Sequence, residues 1–135
     1  MNELGIIAWI ARESAYAPYS NYKVGCVLRL KDGNMITGAN IENSIYSLTE
    51  CAERVAIYKW KTGTWRDSPI DKLVYATDTP GHAAPCGCCL QVMMEHMSHD
   101  CTIAHYNGMN TKFWTLKELL PQSEVIKSLK KDLTT

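Results

Sequence analysis

Apolar positions recur along this chain in two rhythms, and the alternation between them sets the expected architecture. Leu4, Ile7, Ala8 and Ala11, with Ile6 and Ile10 alongside, follow a 3.6-residue repeat that predicts an amphipathic helix ending before Pro18. After the polar turn Ala17-Pro18-Tyr19-Ser20-Asn21, the runs 22–30 and 35–41 flank Lys31-Asp32-Gly33-Asn34, the pattern of a β-hairpin. Thr49 offers a capping oxygen to a second helix that passes through Cys51, Ala52, Arg54, Val55, Ala56, Tyr58 and Lys59 and stops near Gly63, with Cys51 in its first turn. Residues 72–77 form a short apolar strand, 78–84 a loop, and Pro85 opens a third helix to about Met97 with Cys86 in its first turn. Residues 101–106 and 112–115 predict two more strands, and 116–120 a brief helix stopped by Pro121. Five strands alternating with helices predict an α/β fold, a three-layer α-β-α sandwich with a central mixed five-stranded sheet and helices on both faces.

Length and charge narrow the function classes. A chain of 135 residues suits one domain, 1–135, able to bury a core without staples. Its 14 basic and 14 acidic residues cancel and are dispersed, so no basic stripe is available for a phosphate backbone; a small, weakly charged ligand is expected rather than nucleic acid. Glu3 interrupts the apolar start, Arg12 and Glu13 close it, and no small-residue cleavage site follows, so a cytoplasmic protein is expected. No apolar run approaches the roughly 20 residues of a spanning helix, which argues against a membrane role. Over 122–135, Val125, Ile126, Leu129 and Leu133 oppose Lys127, Lys130 and Lys131, predicting an extra amphipathic C-terminal helix.

The cysteines carry the first chemical signal. Of Cys26, Cys51, Cys86, Cys88, Cys89 and Cys101, three lie within four positions, and in a reducing compartment clustered thiols point to metal or catalysis. Cys86 and Cys89, two residues apart, together with Cys51 supply three thiolates for a tetrahedral Zn2+ and leave a fourth position open. Helix starts at Cys51 and Cys86 would favour thiolate over thiol. Glu53, beside Cys51, is placed to move a proton near the metal. Cys-x-Glu followed by Pro-Cys-x-x-Cys is the signature of zinc deaminases of nucleobases. A closed structural site would need a fourth ligand, for which His82 is nearest; its place beside Gly81 in a loop favours a solvated or substrate-facing role. Cys88 is expected as a packed thiol, Cys26 and Cys101 as core, and His96 and His99 as partners of a helix end rather than of a second metal.

Four segments in unbroken order, Ala15-Tyr16-Ala17-Pro18-Tyr19-Ser20-Asn21-Tyr22-Lys23-Val24-Gly25, Thr37-Gly38-Ala39-Asn40-Ile41-Glu42-Asn43, Cys51-Ala52-Glu53-Arg54 and Pro85-Cys86-Gly87-Cys88-Cys89-Leu90-Gln91, resemble the small homotetrameric cytidine deaminases. The resemblance implies one Zn2+ per subunit on Cys51, Cys86 and Cys89, Glu53 as the catalytic proton carrier, and Arg54 beside the thiolates. It further implies Asn40 and Glu42 on the ribose hydroxyls, Tyr22 as a wall near the base, Ala52 at the substrate and Tyr46 at a subunit contact. Taken alone, Asn40 and Glu42 read rather as solvated loop residues and Tyr22 as a packing aromatic. The implied reaction is hydrolytic deamination of cytidine and deoxycytidine to uridine and deoxyuridine with release of ammonia, a step of pyrimidine salvage.

Three departures from the family pattern stand out. Leu90 replaces the usual Arg, leaving Arg54 as the evident counter-charge to three thiolates. Gln122-Ser123-Glu124 follows Pro121 where an aromatic residue commonly reaches a neighbouring subunit's base site, and Cys88 doubles the cysteine where a small residue is common. Leu90 and the altered tail admit a modified cytosine nucleoside or another aminopyrimidine as substrate. A nucleotide or tRNA-base deaminase is disfavoured by Cys51 and the zero net charge. A non-catalytic zinc-stabilised binding module, the reading from another class, leaves Glu53 without a use.

Overall fold

The computed structural model describes residues 3–121. In chain order these form α1 (Glu3–Ala11), a 3-10 turn (Arg12–Ser14), β1 (Gly25–Leu30), β2 (Met35–Ala39), a second 3-10 turn (Tyr46–Leu48), α2 (Ala52–Lys61), β3 (Ile70–Ala76), α3 (Gly87–His96), β4 (Thr102–Tyr106), β5 (Thr111–Thr115) and α4 (Leu116–Leu119). The five strands make one sheet in the order β2-β1-β3-β4-β5. β3 and β4 pair in parallel and the other neighbours antiparallel, so the sheet is mixed as expected. The helix anticipated over 122–135 lies outside the described residues.

Alternation along the strands sorts two cores. Val27, Val74 and Ala104 face α1, where they meet Leu4 and Ala8. Cys26, Leu28, Leu73, Tyr75 and Ile103 point the other way, into a larger cluster with Ala56, Ile57 and Trp60 of α2, Leu90, Met93 and Met94 of α3 and Leu116 of α4. Helices on both faces give the three layers. Two glycines let helix backbone meet strand backbone directly. A Cβ on Gly25 would stand 2.0 Å from the Ala8 carbonyl oxygen, and one on Gly38 would stand 2.6 Å from the Ala56 nitrogen and 2.7 Å from the Ala52 oxygen. Gly38 thereby seats the first turns of α2 on β2.

Three of the boundaries that differ from the periodicity reading bear on the site. β1 begins at Gly25, not Tyr22, because the Asn40 side chain takes up the preceding backbone: the Val24 amide donates to Asn40 Oδ1 at 2.9 Å and Asn40 Nδ2 donates to the Tyr22 carbonyl at 2.8 Å. Thr49 does not cap α2; its hydroxyl oxygen accepts the Asn43 amide, and Cys51 takes the N-cap place with extended backbone (φ −71°, ψ 154°). α3 likewise starts after Pro85, with Cys86 at its N-cap (φ −68°, ψ 162°). Both cysteines therefore precede the helices rather than sitting in their first turns. Brief α4 is fastened by a capping box between Thr115 and Glu118.

Candidate active site

The starts of α2 and α3 meet, and their thiols converge. Cys51 and Cys86 hold the two N-cap positions and Cys89 lies in the first turn of α3. Their three sulfurs lie within 4.8 Å of one another, with Cys51 Sγ and Cys86 Sγ 4.0 Å apart. Bonds of about 2.3 Å to a tetrahedral zinc set thiolates about 3.8 Å apart, so the donor set and its spacing fit that ion. The site's backbone favours anionic sulfur too: Cys86 Sγ accepts the Cys89 amide at 3.5 Å, as an N-cap oxygen would.

Charge balance follows from the neighbours. A hydrogen bond from Cys89 and the Arg54 guanidinium, against the opposing effect of burial, draw the Cys51 thiol down to about 5, while the bond to Cys51 and burial push Cys89 up. Arg54 Nη2 donates to Cys51 Sγ at 3.3 Å, and Arg54 Nε lies 3.5 Å from Glu50 Oε1. Leu90 is buried among the α2 and α3 apolar residues, so hydrophobic packing occupies the position where the family pattern has a cation.

Glu53 is 5% exposed and lines the same cleft as Cys51 and Cys86. Burial raises its carboxyl to about 7, the Cys51 thiolate adding to the effect and its own amide opposing it. A group so placed holds or gives a proton near neutral pH. The raised value also has a stability consequence. Stability carried by the protonated acid is complete below the ordinary carboxyl value and lost as pH rises to about 7. In the metal-free protein, Glu53→Gln should therefore gain on the wild type by up to about 3 kcal/mol between pH 4.5 and pH 8. Urea unfolding of both proteins at the two pH values checks this; parallel pH profiles would refute it.

The cleft has a volume of about 350 Å3. Ala52, fully buried, and Glu53 come from α2, and Asn40 and Glu42 from the stretch just after β2. Neither Asn40 nor Glu42 is a solvated loop residue: they are 8% and 9% exposed. Glu42 Oε1 accepts the Tyr19 and Ser20 amides at 3.0 and 3.1 Å and Oε2 accepts the Ser20 hydroxyl. The Ser20 hydroxyl and amide hold its carboxyl below the usual value, so Glu42 is ionised in a fixed orientation. Tyr22 and the highly exposed Tyr46 stand on the cleft wall.

Tyr75, Thr77 and His105, which the sequence reading did not single out, also line the cleft. They lie at or just beyond the carboxyl ends of parallel β3 and β4, where α/β sheets place their ligand crevices. A strand-pair assignment would have pointed to them. His82 is neither a ligand nor free in solvent: its Nδ1 lies 2.9 Å from His105 Nδ1. Cys88 is exposed rather than packed, because it falls on the outer side of α3, whereas Cys26 and Cys101 are buried. His96 stacks edge-on against Trp60, and among the described residues the cysteine trio is the one cluster of three or more metal-ligating side chains.

Comparison with known proteins gives these features a context. The family model "Cytidine and deoxycytidylate deaminase zinc-binding region" matches residues 5–105. The chain is similar to a cytidine deaminase of Halalkalibacterium halodurans, 44% identical over 112 residues, which cover 82% of this chain and 83% of that protein. Among solved structures it is similar to a cytidine deaminase from Burkholderia pseudomallei (TM-score 0.79, 37% identity, 88% of this chain and 94% of the other). A second, from Mycobacterium leprae, gives TM-score 0.75 at 34% identity, over 90% of this chain and 97% of the other.

Proposed function

The chain belongs to the cytidine and deoxycytidylate deaminase family, and on that premise we propose that it hydrolyses the exocyclic amine of cytidine and deoxycytidine, giving uridine or deoxyuridine and ammonia. The observation that carries this reading is the meeting of three thiols with a buried, protonatable Glu53 in one nucleoside-sized cleft.

Cys51, Cys86 and Cys89 would hold the zinc. When bound, the ion would supply the Lewis acidity that makes a water a competent nucleophile near neutral pH. Glu53 accepts a proton from the attacking water and delivers it to ring N3, then carries the second to the departing amine, so that water and cytidine leave as uridine and ammonia. Arg54 offsets the negative charge of the thiolates through its bond to Cys51. The Ala52 amide, at the start of α2 where backbone donors lack intrahelical partners, is available to a base carbonyl. Asn40 Nδ2 keeps a second hydrogen, and ionised Glu42 keeps free lone pairs; both suit ribose hydroxyls. The Tyr22 ring closes the base side.

Exposed Tyr16, Tyr19, Ile41, Ile45, Tyr46 and Leu48 support a homotetramer with Tyr46 at a subunit contact, which sedimentation velocity checks directly. Six unpaired cysteines suit a reducing cytoplasm, and the proposed reaction suits a place in pyrimidine salvage. Among the described residues no helix is long and apolar enough to cross a membrane. The function is tested by ammonia release on cytidine, deoxycytidine and free cytosine, alongside metal analysis. Turnover of the nucleosides with about one zinc per chain is expected. Bound zinc with no turnover on a broad panel that includes modified cytosine nucleosides and other aminopyrimidines would replace the proposal with a binding module.

A further inference from the structure

Between β3 and α3 the chain crosses the cleft as an irregular segment, 77–86, whose last residue is Cys86. Side-chain bonds hold it at several points. The Tyr75 hydroxyl donates to the Ala83 carbonyl, three residues before Cys86. His82 Nδ1 meets His105 Nδ1 at 2.9 Å. The Thr79 amide donates to Thr77 Oγ1 at 3.4 Å, the Tyr22 and Thr79 hydroxyls pair, and Asn107 Nδ2 donates to the Gly81 carbonyl at 3.1 Å.

Three of these anchors share one support. Tyr75 and His105 are directly opposed in the parallel β3–β4 register, and their rings stack at 4.8 Å between centroids and 16° between planes. His105 Nε2 bonds Thr77 Oγ1 at 2.7 Å. The imidazole is 1% exposed, and each of its nitrogens has a partner. Burial, with His82 beside it, keeps His105 neutral, its value drawn down to about 4. A neutral imidazole carries one N–H and one lone pair, so His105 donates to one neighbour and accepts from the other. The stack fixes the phenol ring, and the phenol hydroxyl fixes Ala83. Ala83 and Ala84 themselves line the cleft.

We propose that Tyr75 and His105, with His82 and Thr77, are positioning residues: they hold segment 77–86 so that Cys86 meets Cys51 and Cys89 and the Ala83-Ala84 wall stands at the substrate. The role acts through Cys86 and rests on the reading of that thiol as a zinc ligand. The deleted phenol oxygen leaves ring, stack and core volume in place, so Tyr75→Phe isolates the tie to Ala83. His82→Ala, at a half-exposed loop position, breaks the second tie and keeps both rings of the Tyr75–His105 stack.

Zinc transfer to a chromogenic chelator and the visible spectrum of the cobalt-substituted protein provide two readouts independent of turnover. Tyr75→Phe should release zinc at least tenfold faster than wild type and shift the cobalt bands, and His82→Ala should move both in the same direction. Tyr106→Phe, which deletes another strand hydroxyl bonded to the Gly108 carbonyl, serves as a control for stability alone and should leave both unchanged. Wild-type release rates and cobalt spectra in both Tyr75→Phe and His82→Ala would overturn the proposal. Cys86→Ser separates the two readings: if it too keeps wild-type release and spectrum, the ligand assignment falls, whereas metal loss in Cys86→Ser with none in the other two removes the positioning role alone.

Discussion

Glu53→Gln should fold and bind zinc like the wild type while turnover of cytidine falls by roughly 10²–10⁴-fold. Gln preserves the size of the side chain and a carbonyl acceptor but cannot take a proton from water or pass it to ring N3. The side chain is nearly buried, so no bulk water substitutes for it. None of the three thiols is altered, so metal content should stay at about one zinc per chain. Metal analysis and steady-state rates on the same preparation decide the matter. Near-full activity in the variant would remove Glu53 from the chemistry, and loss of zinc would reassign it to holding the metal site together.

The second large effect is expected from Cys89→Ser. Cys89 is fully buried, and its sulfur completes the cluster formed by the two N-cap cysteines. A serine hydroxyl is a poor zinc ligand beside thiolate, and two thiolates alone leave the ion weakly held. Zinc should be lost on dialysis, activity should fall by at least about 10³-fold, and added zinc should not restore it. Because bound metal contributes directly to folding free energy, the variant should also melt near the temperature of chelated wild type. Cys88→Ser, one residue away at an exposed thiol, should behave as wild type in all three measurements. Equal losses in both variants would mean that Cys88 shares in the site.

The sequence was informative where chemistry is local and less so where it depends on pairing. The five strands follow from alternation and turn residues, and the cysteine cluster from spacing, because Cys86 at the N-cap of α3 and Cys89 in its first turn lie three positions apart. Helix starts were misplaced by a residue or more for one physical reason. Capping is recognised by hydroxyl and carboxylate side chains, so Thr49 and the Pro85 rule drew attention, whereas at Cys51 and Cys86 a sulfur occupies the cap. Asn40 looked like a solvated loop residue because nothing local reveals that it closes the Tyr22–Val24 backbone 16 to 18 positions earlier. Tyr75 and His105 escaped notice for a similar reason: 30 positions apart, they become neighbours through the β3–β4 register.

The close seating of α2 on Gly38 sets the two walls of the cleft apart in how they can evolve. On the α2 side main chain meets main chain, so the distance from sheet to Glu53 is fixed by atomic radii, and no side chain can be trimmed or enlarged to tune it in small steps. The opposite wall, 77–86, is suspended from a phenol, two imidazoles, a pair of threonines and an amide, each exchangeable separately. A cleft with one rigid and one adjustable wall can accumulate new substrate preferences through single replacements on the adjustable side while the Glu53 side stays in place.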